Sequence, residues 1–263
     1  MRLSICIDSV YRYIPTDTER LKAAKQAGYT DYEFWAWWNR DVEVLKAAQD
    51  EYGLSAAALC TKFIPLTDAS QHEAYLLALQ ETVQTAKKLF CNVIISQVGK
   101  TMEGVTRSMQ HQHIVAGLKK AASIVADSGI TLVVEPLNTI VNHPGYYLSS
   151  SEEAAQIIDE VNSPSVRMLF DVYHQQISEG NLSDNILKYI DKIGHFHIAG
   201  NPGRKMPLDG EVDYRYVLQV IQQTGYSHAI GLEYLPDEGD SAESTIQKSH
   251  LVLESFARNT SVL

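Results

Sequence analysis

The sequence ITLVVE at residues 130–135 is an apolar run that ends on Glu135, and three later runs carry a polar residue in the same place. They are VRMLFD, which ends on Asp171, GHFHIAG, which contains His197, and HAIGLE, which ends on Glu233. Each of these groups follows residues that would be buried in a sheet, where an unpaired carboxylate is costly. The placement predicts that the four side chains meet around one divalent cation.

Eight short apolar runs of this kind, each followed by a helical pattern, cover the whole chain. They are Leu3–Ile7, Asp31–Trp35, Leu54–Leu59, Asn92–Gln97, Thr131–Glu135, Val166–Asp171, His195–Ala199 and Ala229–Tyr234. Their starts are about 23 to 39 residues apart, which matches one strand-and-helix unit. Strands that alternate with helices predict a parallel sheet with helical crossovers.

Two parallel folds fit eight such units, an open doubly wound sheet and a closed barrel. No glycine-rich GxGxxG turn follows the first run, which removes support for a nucleotide-binding open sheet. Polar residues at the ends of runs five to eight are typical of barrel enzymes, which build their sites at the carboxyl ends of the strands. We therefore predict an α/β fold, a (β/α)₈ TIM barrel, as one domain over residues 1–263.

Composition restricts the classes of partner. The chain has 45% hydrophobic and 21% charged residues and a net charge of −10. Such a charge argues against a general nucleic-acid or anionic-membrane binder. No segment approaches the roughly 20 apolar residues of a membrane span, and the amino-terminal residues do not resemble a secretion signal. We expect a small-molecule substrate, with neither a nucleic acid nor a membrane as partner.

The three cysteines are Cys6, Cys60 and Cys91, an odd and widely spaced set without a CxxC motif. This spacing does not indicate a zinc site or a disulfide framework. Buried reduced thiols are the simplest interpretation, and together with the absence of a signal they predict a cytoplasmic protein.

The predicted ligands are three carboxylates and one imidazole. An oxygen-rich set with a single nitrogen suits Mn²⁺, the first candidate, with Mg²⁺ or Co²⁺ as alternatives. Glu135 and Glu233 can also act as a pair, because two carboxylates beside a carbonyl compound can remove a proton from one carbon and return it elsewhere. The pattern predicts proton transfer through an enediolate, with Glu135 and Glu233 as the catalytic residues.

Four further features lie within or just after the apolar runs. His174, three residues after Asp171, is predicted to orient the substrate as a neutral donor. Arg204, in the loop NPGRKMP, is predicted to hold a substrate oxygen or carboxylate, with a solvated loop cation as the alternative. His195 is expected to be a packed or supporting residue beside His197. The Trp35–Trp38 cluster fits a pocket wall, a lid, an oligomer contact or core packing.

Five segments resemble the hydroxypyruvate isomerase family in order and spacing. They are VVEPLNTIVNHPGYYLSS, LFDVYHQQISEGNL, GHFHIAGNPGR, DGEVDY and GLEYLP. That family belongs to the xylose isomerase-like TIM barrels, with ketose 3-epimerases and endonuclease IV-type enzymes. The resemblance implies a metal-dependent isomerase, a homo-oligomer (dimer or tetramer), and Glu135, Asp171, His197 and Glu233 as metal ligands. It also implies Glu135 and Glu233 as the acid/base pair and His174 and Arg204 as substrate contacts.

The resemblance leaves two related enzymes open. Hydroxypyruvate isomerases often carry Gln at the place of His197, whereas ketose 3-epimerases of the D-allulose, D-tagatose or L-ribulose type carry His. The EPLN and NPGR segments resemble the isomerases. A third and more distant alternative is an endonuclease IV-like phosphodiesterase, which needs more metal ligands and a basic surface. A catalytically silent sugar-binding barrel would lack one of the two glutamates, and both are present.

Overall fold

Eight parallel strands close into a barrel in this computed structural model, which describes residues 2–259. The strands are β1 (Arg2–Cys6), β2 (Asp31–Phe34), β3 (Ser55–Cys60), β4 (Val93–Ser96), β5 (Thr131–Val134), β6 (Val166–Asp171), β7 (Ile193–Ile198) and β8 (Ala229–Leu232). Each strand pairs with its neighbours in sequence, and β1 pairs with β8 to complete the ring. The predicted (β/α)₈ barrel is confirmed.

Helices connect successive strands and cover the outside of the barrel. They are α1 (Asp17–Gln26), α2 (Val42–Tyr52), α3 (His72–Leu89), α4 (Arg107–Val125), α5 (Ser151–Val161), α6 (Val172–Ser178), α7 (Leu182–Tyr189), α8 (Tyr214–Gln223) and α9 (Ala242–Asn259). Short 3₁₀ turns at Ala69–Gln71 and Ile190–Lys192 precede α3 and β7. Within the part of the chain that the structure describes, no helix combines the length and the apolar character that a bilayer crossing requires.

The predicted apolar runs and the observed strands differ by at most two residues at either end. Glu135 and Glu233 lie one residue beyond β5 and β8, but their backbones still follow the sheet. The N–H of Glu135 donates to the carbonyl of Ser96 at 3.2 Å, and that of Glu233 to the carbonyl of Ile198 at 3.1 Å. These bonds hold both glutamates at the carboxyl-terminal rim of the barrel.

Alternation along each strand separates an outer core from the barrel interior. Outward side chains pack against the helices in one large apolar cluster. Inward side chains from β3 to β6 form a separate cluster, called here the apolar half of the interior: Ala58, Cys60, Ile95, Val133 and Leu169.

The opposite side of the interior is polar. Ser4, Glu33, His195 and His197, from β1, β2 and β7, are all buried there and constitute the polar half of the interior. Strand pairing sets Asp171 on β6 level with His197, and His197 level with Gly231 on β8. Register alone therefore brings two predicted ligands together, with a glycine beside them.

Candidate metal and substrate site

The four predicted metal ligands converge at the carboxyl-terminal rim. Glu135, Asp171, His197 and Glu233 each present one ligand atom, and these atoms all lie within 4.8 Å of one another. All four side chains are buried. Four buried ligand atoms at this spacing could hold one divalent ion.

The imidazole of His197 supports this interpretation. Its Nδ1 atom is buried and makes no hydrogen bond to any described residue. That atom lies 3.0 Å from Oε2 of Glu233 and 4.0 Å from Oε1 of Glu135. An unpaired nitrogen directed at two carboxylates is the donor that a shared cation would satisfy.

The electrostatic environment of the cluster also favours a cation. Burial opposes the charged form of His197, but the carboxylates of Glu233 and Glu33 outweigh it and raise the pKa of His197 well above its ordinary value. Burial raises the pKa of Asp171, partly offset by the charge of Arg204. The cluster therefore attracts positive charge, either a proton or a metal ion.

The two glutamates experience different surroundings. Burial and the nearby charge of Glu233 raise the pKa of Glu135 above its ordinary value. For Glu233, burial is outweighed by the charges of Arg204 and His197, so its pKa lies below the ordinary range. Glu233 also accepts the indole N–H of Trp35 at 2.6 Å. Among the described residues, the carboxylate of Glu135 accepts one long hydrogen bond, from the amide of Gln97 at 3.4 Å. Glu135 is the less restrained of the pair.

The loop after β7 places Arg204 against the ligands. Its guanidinium is hydrogen-bonded to the Glu233 carboxylate, lies 3.3 Å from Oδ2 of Asp171, and donates from Nε to the Glu233 carbonyl at 3.0 Å. The backbone of Arg204 is left-handed, with φ of 55°, in a loop that contains a cis Asn201–Pro202 bond. Arg204 thus neutralises part of the acidic cluster and also lines the cavity.

His174 presents a defined tautomer to the site. Its Nδ1 accepts both the backbone N–H of Asn138 at 3.2 Å and the Asn138 side-chain amide at 2.7 Å. In a neutral ring the proton therefore belongs to Nε2, which is buried, lacks a hydrogen-bond partner among residues 2–259, and lies 3.6 Å from Oδ2 of Asp171. Burial, followed by the charge of Arg204, holds the pKa of His174 well below its ordinary value. His174 is thus a neutral donor directed at the rim.

A cavity of about 770 Å³ opens above these groups. Its floor includes Glu135, His174, His197, Arg204 and Glu233. Apolar side chains form much of its wall: Trp35, Phe63, Ile64, Pro65, Met102, Leu137 and Tyr146. The tryptophan cluster is divided, because Trp35 lines the cavity while Trp37 donates to Thr82 at 3.1 Å and Trp38 packs edge-on against Phe63.

Three polar contacts of the site were not predicted from the sequence. Trp35 and Gln97 end the second and fourth apolar runs, and this shared position is a signal that would have identified them. Glu33 lies inside the second run and accepts hydrogen bonds from His195 and His197 at 3.0 and 2.8 Å. An acidic residue in the middle of a buried strand is the only sequence signal for Glu33.

Residues 21–256 match the family model described as xylose isomerase-like TIM barrel. The chain belongs to this family. It is 31% identical over 229 residues to hydroxypyruvate isomerase of Escherichia coli, an alignment that covers 82% of this chain and 87% of the relative. It is 40% identical over 122 residues to 2-oxo-tetronate isomerase of Cupriavidus necator, covering 46% of each protein. The resemblance to hydroxypyruvate isomerases is thereby confirmed, and these relatives agree with the prediction of an isomerase-type enzyme.

One solved structure resembles the chain in both sequence and fold. It is described as an AP endonuclease, family 2 from Brucella melitensis, and superimposes with a TM-score of 0.89 over 98% of each chain at 27% identity. The similarity extends over the entire barrel. Its description names a different reaction from that of the curated isomerases.

Proposed function

We propose that this chain is a divalent-metal-dependent isomerase of the hydroxypyruvate isomerase type. The observation that carries the proposal is the convergence of Glu135, Asp171, His197 and Glu233, whose ligand atoms lie within 4.8 Å of one another. Three of them, Glu135, His197 and Glu233, also line the cavity. Mn²⁺ is the first candidate for the ion, with Mg²⁺ or Co²⁺ as alternatives, because oxygen donors predominate. The relatives of the chain support a hydroxycarbonyl substrate.

The bound ion would polarise the carbonyl and hydroxyl oxygens of the substrate and lower the energy of an enediolate. The residues of the chain move the protons. One of Glu135 and Glu233 takes a proton from the hydroxyl-bearing carbon, and the hydroxyl proton passes to the former carbonyl oxygen. A proton returned to the adjacent carbon then completes the isomerisation. His174 donates its Nε2–H to a substrate oxygen, and the Arg204 guanidinium contacts another.

Substitution of either glutamate tests these roles. Glu135→Gln and Glu233→Gln should each abolish turnover of hydroxypyruvate in the presence of Mn²⁺, while circular dichroism shows an intact fold. Glu43→Gln, an exposed glutamate on α2, is the control that should keep full activity. Activity close to that of the unaltered chain in either site variant would contradict the assignment.

A ketose 3-epimerase is the second candidate, and two observations favour it. The cavity volume of about 770 Å³ exceeds what a three-carbon acid requires, and His197 matches the epimerase ligand set. Both reactions begin with removal of a carbon-bound proton. Incubation in D₂O with hydroxypyruvate, D-fructose, D-tagatose or L-ribulose distinguishes them, because deuterium enters only the substrate that the enzyme accepts.

A phosphodiesterase acting on DNA is a less favourable interpretation of the same barrel. The structural similarity to the AP endonuclease supports it, but the net charge of −10 opposes a polyanionic substrate. Cleavage of an abasic-site oligonucleotide, together with no turnover of any hydroxycarbonyl compound, would replace the isomerase proposal.

We further propose a cytoplasmic homo-oligomer, dimer or tetramer. Large apolar side chains remain on the surface: Phe63, which lines the cavity, is 61% exposed, and Ile140 is 73% exposed. Such exposure is common at subunit contacts. Light scattering coupled to size-exclusion chromatography tests the assembly, and a monomeric mass at micromolar concentration would contradict it.

A further inference from the structure

Glu33 is at the centre of the polar half of the interior. Its carboxylate lies on β2 and reaches across the barrel to β7. Oε2 accepts from Nε2 of His197 at 2.8 Å, and Oε1 accepts from Nε2 of His195 at 3.0 Å. The Ser4 hydroxyl also donates to Oε1. Glu33 is 2% exposed, so both of its oxygens are satisfied by protein groups rather than by water.

These contacts define the orientation of the His197 ring. An ionised carboxylate only accepts hydrogen bonds, so the Nε2 atom that faces it carries a hydrogen. With Nε2 occupied, Nδ1 is the atom that remains for the rim, and it is the one that faces Glu233 and Glu135.

The glycine at position 231 provides the space for this pair. A Cβ atom built on Gly231 would lie 2.5 Å from Cδ2 of His197 and 2.7 and 2.8 Å from the two Glu33 oxygens. Real Cβ atoms do not approach other heavy atoms so closely, so any side chain at this position would displace the ring or the carboxylate. The lack of a side chain at Gly231 therefore leaves the room that Glu33 and His197 occupy.

We propose that Glu33 is a positioning residue that holds His197 with Nδ1 directed at the metal site. The proposal rests on the metal dependence proposed above. Carboxylates that hydrogen-bond the second nitrogen of a metal-bound histidine fix the ring and its tautomer, and their loss typically weakens metal affinity by roughly 10- to 100-fold. The same three groups, Glu33, His195 and His197, also lie close enough to bind an ion of their own.

The first experiment measures Mn²⁺ binding by isothermal titration calorimetry. Glu33→Gln keeps the size of the side chain but removes one of the two acceptors, and it should raise the Mn²⁺ dissociation constant by roughly 10- to 100-fold. Asp31→Asn is the matched control, because Asp31 is a buried acid two residues earlier on β2 that pairs with Arg2 at the opposite end of the barrel. This control should bind Mn²⁺ as tightly as the unaltered chain does.

The second experiment needs no variant and remains informative if Glu33→Gln fails to fold. Imidazole ¹⁵N spectra of the unaltered protein should show His197 with a protonated Nε2, and titration with diamagnetic Mg²⁺ should shift the Nδ1 resonance. A Mg²⁺-dependent shift at Nε2 instead would overturn the positioning role.

The outcomes separate the two proposals. Equal Mn²⁺ affinity in folded Glu33→Gln and in the unaltered chain refutes the role of Glu33 alone. Two ions per unaltered chain, one of them lost in Glu33→Gln, would make Glu33 a ligand rather than a positioning residue. If the unaltered chain binds no divalent ion, the metal dependence under "Proposed function" fails as well.

Discussion

The two halves of the barrel interior are built in opposite ways. On the side of β3 to β6, Ala58, Cys60, Ile95, Val133 and Leu169 pack against one another. On the side of β1, β2 and β7, Ser4, Glu33, His195 and His197 form a connected hydrogen-bond network. The apolar half depends only on volume and excludes water, whereas each group of the polar half depends on a particular partner. Changes in the apolar half should therefore affect stability, and changes in the polar half should affect the site.

The largest effect is expected where the polar half meets the rim. Glu233 contacts Trp35, Arg204 and His197. Glu135, which follows β5, accepts a long hydrogen bond from Gln97. Both Gln variants should lower kcat by at least about 10³-fold, in line with the loss of general acid–base catalysis. Glu233→Gln should additionally lower the melting temperature, because Trp35, Arg204 and His197 would each lose a charged partner. Equal melting temperatures for the two variants would contradict this difference between the halves.

Truncation of a side chain in the apolar half should lower stability and leave metal binding unchanged. Leu169→Ala removes a fully buried side chain from that cluster and should cost about 2–5 kcal/mol of unfolding free energy. Urea denaturation measures this loss, and calorimetry of the folded variant should give an unchanged Mn²⁺ dissociation constant. A large loss of metal affinity with little loss of stability would show that the two halves are not independent.

Two glycine substitutions, one beside the polar half and one away from it, can be compared directly. Gly231→Ala places a methyl group against His197 and Glu33, and Gly194→Ala places one against Arg167 and Val133, 2.7 and 2.9 Å away. Both should destabilise the fold by about 1–3 kcal/mol through overpacking. Only Gly231→Ala should also weaken Mn²⁺ binding. Equal metal affinities in the two variants would remove the link between Gly231 and the site.

The smallest effect is expected for the three buried thiols, of which Cys60 lies in the apolar half and Cys91 in the outer core. Burial raises the pKa of Cys6 and Cys60 well above the ordinary thiol value, and it raises that of Cys91 to about 12. Below these raised values the thiolate is scarce, so at pH 8 the folded protein should react with none of its three thiols in a colorimetric thiol assay. In urea all three should react. Rapid labelling of the folded chain, with loss of activity, would contradict the burial of these residues.

The sequence predicted the elements of the fold well because their signals are local. Each strand is a short apolar run, and each rim ligand is the polar residue that ends such a run. Asp171 and His197 were predicted to meet because neighbouring parallel strands end at one rim, and the register brings them level. The apolar periodicity did not separate the helices α6 and α7, which both lie between β6 and β7.

Two of the missed contacts join strands that are not neighbours, whereas Gln97 and Glu135 follow the adjacent strands β4 and β5. Glu33 and His197 are 164 residues apart and meet across the interior, and Trp35 and Glu233 are separated by 198 residues. Their distances depend on how the barrel closes and on its diameter, which no local pattern specifies. Arg204 was predicted as a substrate contact, but its bonds to Glu233 and Asp171 depend on the left-handed turn of its loop.

Anomalous diffraction from crystals grown with Mn²⁺ would show directly whether the four rim residues bind one metal ion. We predict one anomalous peak per chain, within coordination distance of a carboxylate oxygen from each of Glu135, Asp171 and Glu233 and of Nδ1 of His197. A peak between Glu33 and His195, or no peak in this part of the barrel, would contradict the account.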